Sequence, residues 1–342
     1  MSITPQVDVQ GRKKPDIYKR VAPFAVSDRR KAVQQIFETF LPYAFLWVLM
    51  VLSMTRGYSY WLTLGLIVVA AGFQVRIFIL FHDAGHGSFF NSRRANKVLG
   101  YIAGVLTFTP YEQWTSSHAR HHATVGDLDR RGMGDVWTMT VEEYREASAW
   151  QRLYYRVYRH PVLMFGFGPG IVFLISNRFT LKGSDARGRN SVRVTNVALL
   201  LILILAYFTI GLRTYLLIQV PVMLIAGAMG VWLFYVQHQY EGVYWARHEE
   251  WEPLRAALEG SSYYKLPKLL QWITGSIGLH HIHHIQPRIP NYHLQQCQDN
   301  VDVLQEVEPI TLKSSLWSLT RHLWDEKRGQ LVGFRTLKTS IG

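Results

Sequence analysis

Four apolar runs constrain this chain more than any other feature. They cover roughly residues 40–54, 61–81, 196–212 and 215–237. A bilayer crossing takes about 20 apolar residues, with ~17 as a lower limit, so the first run is marginal in length. Inside hydrocarbon every backbone N–H and C=O must be satisfied within the protein, and a run of this kind meets that demand as a helix. The linkers within each pair are short, residues 55–60 and 213–214. The runs therefore read as two transmembrane helical hairpins, about four crossings in all. Two shorter apolar stretches, residues 98–110 and 161–176, are rich in Gly and Pro. Runs of that length are expected to be re-entrant or interfacial. The expected fold class is an all-α integral membrane protein with a polar helical cap. The Gly166–Gly170 cluster superficially suggests a nucleotide loop, but no strand precedes it, and phosphate binding is not expected there.

Composition supports this reading. Apolar residues make up 49% of the chain and charged residues only 18%, against roughly 25% charged in a typical globular domain. Aromatics reach 13%, and Trp and Tyr concentrate at bilayer interfaces. The formal net charge is +13. With long apolar runs between the basic segments, that charge points to an anionic membrane surface and membrane lipids, and no nucleic-acid partner is expected. Cys297 is the only cysteine, so no internal disulfide or thiolate metal site can be built. Any metal must sit on histidine or carboxylate.

Lys and Arg placement sets the expected topology. The basic N-terminus, with Arg12, Lys13, Lys14, Lys19, Arg20, Arg29, Arg30 and Lys31, stays in the cytosol. A cleavable signal peptide would carry its apolar core earlier, so the first run reads as a retained anchor. The division expected is a basic cytosolic arm over 1–35, a membrane domain with cytosolic cap over 36–300, and a cytosolic tail over 301–342. Four crossings then bring every histidine cluster to one face. Arg76 lies inside an apolar run near its cytosolic end and is expected to snorkel toward headgroups.

Fourteen histidines are present, and nine of them fall into four places. His82 and His86 are spaced i, i+4. His118, His121 and His122 form an i, i+3, i+4 triplet, as do His280, His283 and His284. His238 stands alone where a crossing helix emerges. Residues at those spacings share a helix face, so each cluster is expected to aim its imidazoles at one point. One zinc takes about four ligands. Nine converging histidines exceed a mononuclear site and suit two metals with open positions, and imidazole accepts iron, zinc, copper or nickel. His281 lies about 100° around a helix from His280 and is left out. His160, His248, His293 and His322 have no spaced partner and read as surface or hydrogen-bonded residues. Ligating histidines usually donate their second nitrogen to a carboxylate or carbonyl. Asp83, Asp127, Asp129 and Asp135 are near enough in sequence to serve.

These clusters resemble the histidine boxes of the membrane fatty acid desaturase and hydroxylase superfamily, which runs HxxxH, HxxHH and, after a second membrane hairpin, HxxHH. The matches are His82-Asp-Ala-Gly-His86, His118-Ala-Arg-His121-His122 and His280-His-Ile-His283-His284. They cover roughly residues 35–300, and His238 matches the family's additional ligand. HDAGHGSFF, GDLDRRGMGDVWTMTVEEY and HHIHHIQPRIPNYHL are similar to the acyl-lipid Δ12 (omega-6) desaturases and their bacterial relatives. Front-end desaturases carry Gln where this chain has His280. No HPGG haem signature follows His160.

The resemblance implies a di-iron centre that uses O2 to place a cis double bond in a fatty acyl lipid, in a bacterial cytoplasmic membrane. Electrons would come from a separate donor of ferredoxin or cytochrome b5 type. An apolar tunnel is expected to hold the acyl chain, with Tyr111, Trp114 or Trp137 in its wall. At this stage an acyl or carotenoid hydroxylase or ketolase remains open, because the same oxidant can return oxygen to the substrate. A membrane metal transporter would carry its histidines along the crossing helices rather than at their ends. A haem-binding anchor needs fewer histidines than these.

Overall fold

The computed structural model describes residues 17–339, apart from Met133. The basic residues Arg12, Lys13 and Lys14 lie outside the described residues. The main helices are α1 (Arg29–Thr55), α2 (Tyr60–His86), α3 (Arg93–Leu106), α4 (Tyr111–Thr124), α5 (Ala149–Tyr158), α6 (Ala186–Thr209), α7 (Leu212–His238), α8 (His280–Ile285) and α9 (Asn291–Asn300). Of these, α1, α2, α6 and α7 are long and apolar enough to cross a membrane. The protein is a multi-pass membrane protein.

Local chemistry sets the ends of these helices. Asp28 caps α1 by accepting from the backbone N–H of Arg30 and Lys31, the usual way to satisfy first-turn donors. The α1 helix begins a full three turns before the apolar run and passes unbroken through residue 35. Ser59 caps α2, which ends at Gly87 in the left-handed conformation with φ 66°, where glycine avoids a Cβ clash. The second hairpin turns at Ile210 and Gly211, with Gly211 at φ 82°. Residues 213–214, expected to be the turn, instead lie inside α7. The glycine, free to take positive φ, decides the turn, and the polar pair that follows is simply the first turn of the helix.

The helices are not equivalent. In α2, 61% of the apolar window is buried, against 22% in α1 and in α6. Thus α2 is the central helix, packed on α1, α3 and α7, while α1 and α6 leave most of their apolar surface outside the protein core. Arg76 does not snorkel. Its side chain is buried, with Nε donating to Thr39 Oγ1 at 3.0 Å, a terminal nitrogen donating to the Trp272 carbonyl, and the guanidinium 4.2 Å over the Trp272 ring. A cation held in this way by acceptors and an aromatic face needs no path to water.

Helix α5 carries Trp150, Leu153 and Tyr154 exposed and breaks at His160–Pro161. The next stretch, Val162–Phe167 and Gly170–Ile175, has π-helical turns, and the pair is bent by 59°. Pro161 and Pro169 remove two backbone donors here, which accounts for the irregular winding. The cap is mainly helical with small strands. Met139–Thr140 (β1) pairs in parallel with Leu323–Asp325 (β4), which pairs antiparallel with Gln330–Val332 (β5). Tyr263–Tyr264 (β2) pairs in parallel with Pro309–Ile310 (β3). The segment after residue 300, expected as a tail, is therefore sewn into the cap. Leu323 and Val332 bury against Val141, Tyr144 and Tyr155.

Candidate metal centre

Four elements deliver the nine histidines to one place. The last turn of α2 carries His82 and His86, α4 carries the second triplet, α7 ends at His238, and α8 carries the third triplet. The imidazoles form two adjoining groups. His82, His86, His118, His122 and His283 make one, and His121, His238, His280 and His284 make the other, with the ligand atoms of each group within 4.8 Å of one another. The rings of His122 and His284 stack at 4.1 Å across the boundary.

Each triplet therefore splits instead of converging on one point. His118 and His122 go to the first group and His121 to the second; His280 and His284 go to the second and His283 to the first. The reason is angular. Residues i and i+4 differ by about 40° around a helix, but i+3 and i+4 differ by about 100°. Two adjacent histidines straddle the seam between the groups.

Within the groups, Nε2 atoms face each other. His118–His122 is 3.1 Å and His122–His283 is 3.0 Å. His121–His238 is 3.1 Å, His238–His280 is 3.0 Å and His280–His284 is 3.1 Å. Nitrogens each roughly 2.1 Å from one metal, at right angles, sit about 3.0 Å apart.

The tautomers test the fit further. His238 Nδ1 is 3.0 Å from the Gly260 carbonyl, which only accepts, so Nδ1 carries the proton. His121 Nδ1 is 2.6 Å from Asp135 Oδ1, and the same assignment follows. With both rings neutral, as ligation requires, both Nε2 atoms are then lone pairs facing each other with no hydrogen between them. A cation resolves this contact. His86 Nε2 is buried without a partner, which a metal also resolves. Burial, reinforced by neighbouring imidazoles, holds His118, His122, His280, His283 and His284 well below the usual histidine range. The neutral imidazole is the form that ligates. The residues present fit a pair of metal ions.

The four aspartates divide. Asp83 Oδ1 lies 3.2 Å from His82 Nδ1, and Asp135 holds His121. Asp127 and Asp129 face away from both groups. Asp127 Oδ2 is 2.7 Å from His248 Nδ1, and Asp129 pairs with Arg247 at 2.7 Å. Sequence reasoning missed two supports. Asn291 donates to Asp83 Oδ2 from its backbone N at 2.7 Å and from Nδ2 at 2.9 Å, and Gln35 Nε2 in turn donates to Asn291 Oδ1 at 2.8 Å. Gly260 is the other. Asn291 follows Pro290 at the start of α9, and that helix start was the available signal; Gly260 gave none. His281 stands outside both groups, with Nε2 3.1 Å from Gln298 Oε1.

A cavity of about 400 Å³ opens onto His82, His118 and His280, within the range of roughly 300–1,000 Å³ that small-ligand sites occupy. Its wall is largely apolar and includes Phe78, Trp114, Phe173, Met223, Gly230 and Phe234. Trp114 stacks on His118 at 4.4 Å and 20°. Of the three aromatics expected in this wall, Trp114 alone lies there. Tyr111 is buried behind it, donating to the Ala84 carbonyl at 2.8 Å. Trp137 packs on Tyr154, Tyr155 and Tyr158 in the cap. Both are drawn off by nearby partners that satisfy an aromatic ring or hydroxyl.

Fold and site together define a multi-pass membrane protein with a histidine-built metal site beside an apolar cavity. The comparisons agree in kind. The family model for fatty acid desaturases matches residues 59–308. A fatty acid desaturase of Bacillus subtilis (strain 168) is 49% identical over 326 residues, covering 95% of this chain and 92% of that protein. The omega-3 fatty acid desaturase of the endoplasmic reticulum of Vigna radiata is 26% identical over 76% of this chain and 73% of its own. The sn-1 oleoyl-lipid 12-desaturase of Synechocystis is 25% identical over 74% of this chain and 73% of its own. The chain belongs to the fatty acid desaturase family, and it is a desaturase enzyme.

Proposed function

We propose that this enzyme holds two iron ions on the nine histidines and, with O2, introduces a cis double bond into the acyl chain of a membrane lipid, at the Δ12 or omega-6 position. The observation that carries this reading is the apolar cavity that ends on His82, His118 and His280. An acyl chain lying in it presents a methylene to both histidine groups. The chemistry such a metal pair supplies is reduction of O2 coupled to removal of two hydrogens from adjacent methylenes, for which no side chain suffices because alkyl C–H is not acidic.

The chain's own residues then have three tasks. Asp83, Asp135 and the Gly260 carbonyl hold Nδ1–H of His82, His121 and His238, fixing their rings and leaving Nε2 free to ligate. Phe78, Trp114, Phe173 and Phe234 exclude water and confine the chain, since only positioning distinguishes one methylene from its neighbour. The histidine-bearing ends of α2 and α7 lie at the cytosolic end of the bundle, where a separate electron donor has access. The histidine-box motifs support the Δ12 assignment; an oleoyl-lipid 12-desaturase and an omega-3 desaturase are about equally similar to the chain.

The test is expression in a host that makes only saturated and monounsaturated fatty acids, beside His118→Ala. Gas chromatography–mass spectrometry of total fatty acids is expected to show a new dienoic acid in the wild type alone. A hydroxylated product would replace the desaturation outcome while keeping the site. A double bond elsewhere would replace the Δ12 assignment alone.

A further inference from the structure

One face of α7 forms a long side of the cavity, through Met223, Ala226, Gly227, Gly230, Val231 and Phe234. Its two glycines differ. A Cβ added at Gly227 would lie 2.7 Å from Pro169 Cβ and 3.1 Å from Phe173 Cδ2. Close packing of the bent Pro161–Arg178 segment explains that glycine. A Cβ added at Gly230 would meet nothing within 4 Å, and its φ lies outside the positive range. Neither packing nor backbone conformation requires glycine at 230, and glycine inside a helix is a destabilising choice. What its missing side chain provides is room.

That room lies at a defined depth. Gly230 is eight residues before His238 on a continuous helix, so it sits about 12 Å along the axis from the histidine groups, at 1.5 Å per residue. It borders a part of the cavity remote from the reacting methylene. Met223 and Gln74, whose side chains are in contact at 3.5 Å, also line the cavity.

We propose that Gly230 is a specificity-determining position: the space left by its missing side chain admits the distal segment of a long acyl chain and so sets which chain lengths are accepted and which carbon faces the metals. This rests on the desaturase reading and deepens it. A larger side chain at 230 fills the distal space. Shorter chains then fit better than longer ones. A long chain that still binds seats less deeply, and its double bond moves toward the end that lies deepest. One methylene against an apolar wall changes selectivity by about tenfold or more.

The experiment compares the wild type, Gly230→Ala, Gly230→Leu and Gly65→Leu in host membranes containing both hexadecenoyl and octadecenoyl lipids. Gly65 is exposed on α2, with nothing within 4 Å of an added Cβ, so it controls for the same change outside the cavity. Protein level, iron per chain and product structure by gas chromatography–mass spectrometry are read together. Gly230→Leu is expected to lower the ratio of octadecadienoyl to hexadecadienoyl products about tenfold or more, Gly230→Ala to lower it less, and Gly65→Leu to leave it unchanged. An unchanged ratio in Gly230→Ala and Gly230→Leu, with iron retained, would overturn the proposal, as would equal loss on both chain lengths. If Gly230→Leu fails to accumulate, Gly230→Ala alone decides by the same ratio. Absence of any new dienoic product from the wild type would instead overturn the desaturase reading itself.

Discussion

The two histidine groups use the same ligand chemistry but are supported differently. In the group of four, His121 and His238 are each tied at Nδ1, to Asp135 at 2.6 Å and to the Gly260 carbonyl at 3.0 Å, while the Nδ1 atoms of His280 and His284 are buried unpaired. In the group of five, His82 is tied to Asp83 at a longer 3.2 Å, while His86 Nε2 has no partner and the Nδ1 atoms of His122 and His283 are also buried unpaired. Two of four ligands are tied at Nδ1 in the small group and one of five in the large. Supports carry a larger share of the small group, while the large one has a donor to spare, and the two are expected to fail in different ways.

The largest effects should come from the ligands. His280→Ala leaves three donors in the small group, whereas His118→Ala leaves four in the large one. Both variants are expected to yield no detectable dienoic product. Metal analysis should separate them, with His280→Ala nearer one iron per chain and His118→Ala nearer two; equal stoichiometries would erase the distinction between the groups. Next come the supports. Loss of a partner to a ligating histidine typically costs about 10–100-fold in metal affinity or activity. Asp135→Asn should fall at the upper end and Asp83→Asn at the lower, measured as product per enzyme and as iron retained during timed chelation. The reverse order would show that the 2.6 Å contact is not the stiffer support. Asn291→Ala should act mainly on stability, lowering it by about 1–3 kcal/mol as a buried carboxylate loses a donor, read by thermal melting of the detergent-solubilised enzyme. The smallest effect is expected from Asp129→Asn, which faces Arg247 in partly exposed surroundings. Its iron content should match the wild type.

Much of this arrangement was legible in the sequence, where it depends on period. Apolar run length gave the crossings, and the i, i+4 spacings gave the pairs that act together. The splitting of each triplet was not legible, because it depends on where the α4 and α8 axes lie relative to the seam. Nor was the choice among aspartates. Asp127 and Asp129 are nearer to His121 in the chain than Asp135, which follows it by 14 residues, and only the path of the loop after α4 brings Asp135 back to it. The turn at Gly211 was readable and lost to a polar pair two residues on. Arg76 was misread because its acceptors, Thr39 and the Trp272 carbonyl, are remote in sequence.

That remoteness has a consequence for how the chain is made. Arg76 enters the membrane on α2, but Trp272 follows it by 196 residues. Until that residue has been synthesised, the guanidinium lacks both its carbonyl acceptor and the ring that covers it. An unsatisfied cation in hydrocarbon is costly, so the early hairpin remains an unfinished structure while the ribosome works through the second hairpin and into the cap. The late arrival of Trp272 leaves the Arg76 site of the membrane half to be completed by a segment just ahead of the third histidine cluster.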